Sequence, residues 1–104
     1  MQKSDLGIVG LGVMGHNLAL NAERNGFSIA AYNRDPKRTK NFLEGPAKGK
    51  RVVGCFSIEA LAAELERPRR IILMVSAGSP VDSVIESLKP HLEPVDIVID
   101  GGNS

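Results

Sequence analysis

Covalent cross-links and strong fields are missing from this 104-residue sequence. Its one cysteine, Cys55, can form no internal disulfide and has no companion for a thiolate metal cluster. A reducing compartment is implied, with Cys55 expected as a small core residue. Charge is nearly balanced, with 13 Lys and Arg against 12 Asp and Glu for a net +1. No global field exists to draw in nucleic acid or an anionic membrane, so any anionic ligand must be held by local geometry. Long apolar runs are also lacking. The longest, Ile71 to Val75, is too short to cross a bilayer, and Met1 to Asp5 has no charged-then-apolar leader pattern. Internal repeats and low-complexity tracts are absent. These absences imply a soluble, cytoplasmic protein with a single core.

What is present is an alternation. Apolar runs rich in β-branched residues, Leu6 to Val9, Phe27 to Tyr32, Arg51 to Val53, Ile71 to Val75 and Val95 to Ile99, read as buried parallel strands. Between the first two, Met14, Leu18 and Ala22 repeat at helical spacing, with Ala19 beside them and Gly26 as a stop. Asp35-Pro36 is a cap followed by a first-turn proline, opening a helix that presents Phe42 and Leu43 to the sheet and ends near Gly45-Pro46. Ser57 caps a third helix, with Ile58, Leu61, Ala62 and Leu65 on one face and Pro68 forbidding its continuation. Ser79-Pro80 starts a fourth, with Val81, Val84, Ile85 and Leu88 in phase, ending before Pro90. Strand and helix in this order predict a Rossmann-type doubly wound α/β fold: a three-layer α/β/α sandwich with strand order 3-2-1-4-5.

Ligands of such sheets bind beyond the carboxyl ends of the strands. At the first of these ends, Gly10, Gly12 and Gly15 stand at G-x-G-x-x-G spacing, directly after one apolar run and directly before an amphipathic segment. Each has a physical role: a tight strand exit at Gly10, close backbone approach to a pyrophosphate at Gly12, and helix packing at Gly15. The second strand ends at Asn33-Arg34, where an acidic residue would accept bonds from the ribose of NAD. A neutral asparagine does not repel a 2′-phosphate and a guanidinium can grip one, so NADP is the expected cofactor. Asp35 is expected to spend its carboxylate capping the second helix. Lys37, Arg38 and Lys40 lie within six residues of Arg34, and for Lys37 and Lys40 the solvated helix face is the preferred reading. Met14 is in phase with a core stripe. His16 and His91 lack metal-ligand neighbours and are expected as surface side chains, so neither a metal site nor a catalytic residue is assigned.

The turn Gly10-Leu-Gly-Val-Met-Gly15, the following His16-Asn17-Leu-Ala-Leu-Asn21, the Asn33-Arg34 pair, Arg69-Arg70-Ile-Ile-Leu-Met-Val75 and Asp100-Gly-Gly-Asn-Ser104 together resemble the 6-phosphogluconate dehydrogenase family. The resemblance spans Asp5 to Ser104 and covers only the amino-terminal, cofactor-binding part of such enzymes. It implies that residues 1–104 are an NADP-binding domain cut short, lacking the helical domain that builds the family homodimer. In that family NADP takes hydride from carbon 3 of 6-phosphogluconate, and loss of carbon dioxide leaves ribulose 5-phosphate. The family's lysine base and glutamate acid lie beyond this sequence.

By the same resemblance Gly10, Leu11, Gly12, Val13, Met14 and Gly15 would hold the pyrophosphate, with Val13 and Met14 toward the nicotinamide. Asn33, Arg34 and Asp35 would surround the 2′-phosphate, and Val75, Ser76 and Ala77 would line the adenosine. Asn103 would reach both nicotinamide and substrate. Three positions depart from the family pattern: it commonly has alanine at Gly12, a small hydroxyl residue at Asp35 and lysine at Ser76. Two other readings stay open, a dehydrogenase of small 3-hydroxy acids similar to 3-hydroxyisobutyrate dehydrogenase, and a nucleotide-binding module without chemistry of its own.

Overall fold

Successive residues of the first strand point to opposite sides of the sheet, and each seeds a separate core. In the computed structural model, which describes residues 3–75 and 78–101, Ile8 packs with Ala19, Ile29, Ala31 and Phe42, whereas Val9 packs with Ala30, Leu61, Ile71, Leu73 and Leu88. The strands are β1 (Leu6–Val9), β2 (Ile29–Tyr32), β3 (Val52–Cys55), β4 (Arg70–Leu73) and β5 (Ile97–Asp100). All pair in parallel, in the expected order β3-β2-β1-β4-β5. Helices α1 (Val13–Arg24) and α2 (Pro36–Glu44) cover the Ile8 face, and α3 (Ile58–Glu64) and α4 (Ser79–Leu88) the Val9 face. A 3₁₀ turn over Lys89–His91 follows α4. No helix of the described residues is long and apolar enough to cross a membrane.

Two of the helix starts, those of α2 and α3, follow their capping chemistry. The Asp35 carboxylate accepts from the Lys37 N–H at 3.0 Å, and the Ser57 hydroxyl accepts from the Ala60 N–H at 3.0 Å. Cys55 is buried as expected; burial, reinforced by the nearby Glu64 charge, pushes its thiol up to about 11, so it remains protonated and inert.

Several boundaries differ from the sequence pattern. The second strand begins at Ile29, not Phe27, because Ser28 is held by the Asp5 carboxylate through its N–H at 2.9 Å and Phe27 is left exposed. The third runs on to Cys55 and the fourth ends at Leu73, although the Met74 N–H still donates to the Val9 carbonyl at 2.7 Å. The fifth starts at Ile97, since the Asp96 N–H closes a turn onto the Glu93 carbonyl at 3.0 Å and the Ile97 N–H is the first to reach β4, at the Arg69 carbonyl. The buried stripe of α1 is Gly15 and Ala19; Met14 is 55% exposed and is not a core residue.

At the amino ends of β4 and β5 the buried Arg69 is locked in place. Its Nε donates to the Ala62 carbonyl at 2.8 Å and its Nη1 to Asp96 Oδ2 at 3.0 Å. The fully covered Asp96 carboxylate also accepts from the N–H groups of Arg69 at 2.7 Å and Glu93 at 2.8 Å. Burial raises its pKa, but the Glu93 and Arg69 donors together outweigh burial and hold the carboxyl below its ordinary value. Its stabilising contribution is therefore complete above the ordinary value of 3.8 and is lost as pH falls through the lowered one. Asp96→Asn, which leaves the buried Arg69 guanidinium only its longer contact with the half-exposed Glu93 carboxylate at 3.9 Å, is expected to cost about 3 kcal/mol at neutral pH. The same variant should lose less stability than the parent on acidification to about pH 3, as denaturant titrations at the two pH values would show.

Thr39 is fully buried against the sheet, and among the described residues its hydroxyl has no hydrogen-bond partner. Thr39→Val removes a desolvated hydroxyl without changing shape, and is expected to raise stability by about 1 kcal/mol in thermal unfolding.

Candidate functional site: a dinucleotide cradle at the switch point

From β1 the chain crosses through α1 to β2 on one side; from β3 it crosses through α3 to β4 on the other. The carboxyl ends of β1 and β4 therefore diverge, and a crevice opens between them, the position where doubly wound sheets take ligands.

The floor of that crevice is built by absence of side chains. Gly10 has φ +99°, and a Cβ there would lie 2.5 Å from the Met74 carbonyl oxygen. A Cβ at Gly15 would overlap the Gly10 carbonyl oxygen itself. A Cβ at Gly12 meets nothing within 4 Å, so Gly12 faces open space where a ligand could approach. Gly12 is also the N-cap of α1, with no side chain to accept a bond and no acidic residue in the first turn. The positive end of the helix is thus left for an external anion. Beside it, in the first turn of α1, the apolar side chains of Val13 and Met14 are 77% and 55% exposed.

Leu11 anchors the turn. Its side chain is buried, its N–H donates to Asn33 Oδ1 at 2.8 Å, and its carbonyl accepts from Arg38 Nη1 at 3.4 Å. Asn33 also donates through Nδ2 to the Asp35 carbonyl at 3.2 Å. The Asn33 amide is therefore a strut between the glycine turn and the start of α2. With Asp35 capping α2 as expected, Arg34 is the exposed cation at this strand end, and among the described residues it has no ion-pair or hydrogen-bond partner.

Arg34 and Asn33 join Val75 around a cleft of about 360 Å³, whose apolar wall includes Val9, Tyr32, Ile58 and Val84. The volume is within the range of small-ligand pockets. The structure thus brings Asn33, Arg34 and Val75 together around this cleft, and the Leu11 N–H ties the glycine turn to Asn33; Gly10, Leu11, Gly12, Val13, Met14, Gly15 and Asp35 do not line it, and Ser76, Ala77 and Asn103 lie outside the described residues. Sequence reasoning missed Tyr32 and Ile58, and also Ser83 and Ser87, which line the same cleft from α4. A signal existed: Pro80, Ser83, Val84 and Ser87 are at i, i+3, i+4 and i+7, a second helical row beside the core stripe. Arg38 was missed too, since nothing in the charge run separates it from Lys37 and Lys40. His16 is half-buried, edge-on to Phe42 with ring centroids 4.5 Å apart, a packing role. Among the described residues no His, Cys, Asp and Glu grouping could hold a metal.

A glycine-built turn at a topological switch point, an uncapped helix start and a cationic cleft define a Rossmann-type dinucleotide-binding domain. Over residues 5–104 the sequence matches the model of the NAD binding domain of 6-phosphogluconate dehydrogenase, and the chain belongs to that family. It is 56% identical over 104 residues to the decarboxylating 6-phosphogluconate dehydrogenase of Synechococcus elongatus, and equally to the NADP(+)-dependent, decarboxylating enzyme of Bacillus subtilis. Both alignments cover 100% of this chain and 22% of the relative, so the chain spans about a fifth of their length.

Among solved structures, Plasmodium falciparum 6-phosphogluconate dehydrogenase, determined in apo form, with NADP+ and with 6-phosphogluconate, superposes with TM-score 0.85 at 42% identity. That match covers 96% of this chain and 22% of that one. Mycobacterium tuberculosis 3-hydroxyisobutyrate dehydrogenase, at TM-score 0.76 and 21% identity over 97% of this chain and 32% of that one, shows the shared fold alone.

The crowding differs sharply among the three glycines, and so should the effect of a methyl group. Gly15→Ala is expected to cost about 2–3 kcal/mol by overpacking and to abolish dinucleotide binding. Gly12→Ala should stay within about 1 kcal/mol of the parent. Circular-dichroism melting and cofactor titration of the two variants check both.

Proposed function

We propose that this chain is the cofactor-binding domain of an NADP-dependent 6-phosphogluconate dehydrogenase that forms ribulose 5-phosphate and carbon dioxide. The observation that carries the cofactor assignment is the unpartnered Arg34 guanidinium on the lip of the cleft, with neutral Asn33 before it. When bound, NADP supplies the hydride acceptor. The protein's part is to hold it. First-turn N–H groups of α1 receive the pyrophosphate, Gly12 admits it, and Val13 and Met14 shield the nicotinamide from water. Arg34 binds the 2′-phosphate, while Asn33 and Asp35 fix the backbone around it. By the family resemblance Val75, Ser76 and Ala77 would border the adenosine, and Asn103 would reach nicotinamide and substrate.

The base, the acid and most substrate contacts belong to the remainder of a longer protein, as does the surface for homodimer formation. Relatives about five times the length of this chain support that reading. Residues 1–104 alone are accordingly a binding unit without turnover, working in the cytoplasm.

Arg34→Ala is expected to weaken NADP binding by about ten- to a hundredfold, the value of one or two exposed charge-assisted bonds. NAD, which lacks the phosphate, should change by less than about threefold. Calorimetric titration with both cofactors decides, and equal losses would overturn the assignment of Arg34.

A further inference from the structure

We infer that Arg38 is a positioning residue for the dinucleotide: it holds the glycine turn in its binding shape through the Leu11 carbonyl and does not itself contact the 2′-phosphate. The inference rests on the dinucleotide-binding reading of the site and adds to it a residue outside the cradle.

The peptide groups of residue 11 sit in the middle of the turn that must present backbone to the pyrophosphate. Three restraints act on this residue from three directions. The buried side chain ties it to the Ile8 face of the core, Asn33 Oδ1 takes its N–H at 2.8 Å, and Arg38 Nη1 donates to its carbonyl at 3.4 Å. Asn33 and Arg38 flank the start of α2, so the turn is braced against that helix by one acceptor and one donor. Without Arg38 the Leu11 carbonyl loses its partner on α2, and the Leu11–Gly12 peptide has no side chain at residue 12 to stop it rotating. A turn free to rotate must be ordered by the ligand, which lowers affinity without removing any ligand contact.

Lys37 and Lys40 carry the same charge on the same helix, yet among the described residues neither side chain hydrogen-bonds to the turn. The neighbouring positive charge is therefore separable from the restraint. A phosphate ligand and a brace of the turn also differ in what they predict. Losing a phosphate ligand harms NADP alone; losing the brace harms NADP and NAD alike, because both share the pyrophosphate.

The test uses the 104-residue chain with Arg38→Met, which keeps the aliphatic stem, and Arg38→Lys, which keeps one donor. Affinities for NADP and NAD are measured by calorimetry, and the hydrogen-exchange rate of the Leu11 amide is measured by NMR without cofactor. Expected for Arg38→Met is an approximately tenfold loss for both cofactors, equivalent to one hydrogen bond, with faster Leu11 exchange and unchanged global melting. Arg38→Lys should recover most of all three. Loss confined to NADP, or unchanged affinities and exchange, would overturn the inference. If the parent chain binds neither cofactor, the dinucleotide reading fails, and the inference fails with it as a statement about binding.

Discussion

Everything at the ligand end of this molecule depends on a close steric approach. The carbonyl of Gly10 faces the first turn of α1 so tightly that residue 15 can carry no Cβ, and residue 10 itself is pressed against the Met74 carbonyl at the end of β4. Strand, helix and neighbouring strand meet there as bare backbone. Only such a junction puts a helix start within reach of a ligand lying across the sheet edge, and only such a junction leaves the crevice open instead of filled with side chains.

Around this junction the remaining pieces act as supports. Asn33 and Arg38 reach from the second strand end and α2 to the N–H and carbonyl of Leu11. Asp35 spends its carboxylate on the helix cap and so presents less repulsion to an anion beside Arg34 than a free carboxylate would. The arrangement separates two jobs along one short segment. Arg34 is left exposed and unpaired among the described residues, the place of the proposed phosphate contact, whereas Asn33 and Asp35 on either side of it hold the backbone.

Much of the architecture was readable in advance because it follows from periodicity. Apolar runs alternating with helical spacings announce the strand order, and caps at Asp35 and Ser57 form as their side-chain chemistry requires. What escaped reading is what depends on pairs far apart in the chain. Arg69 with Asp96, Leu11 with Asn33 and Arg38, and Ser28 with Asp5 carry no periodic signature. Local propensity drew the second strand back to Phe27, but a long-range bond at Ser28 delayed it. Met14 shows a different failure. Its helical phase with Leu18 is genuine, yet Gly15 and Ala19 are the buried residues of α1 because small residues permit close approach to the sheet, and the larger methionine is left exposed.

The locked Arg69–Asp96 pair occupies the rim of the sheet opposite the cradle, with the full length of the strands between them. Perturbations that far apart, sharing no partner, combine additively. The acid-sensitive stability that Asp96 carries and the proposed choice of cofactor at Arg34 thus rest on separate parts of the fold. A lineage, or an engineer, can retune either one while the other stays as it was.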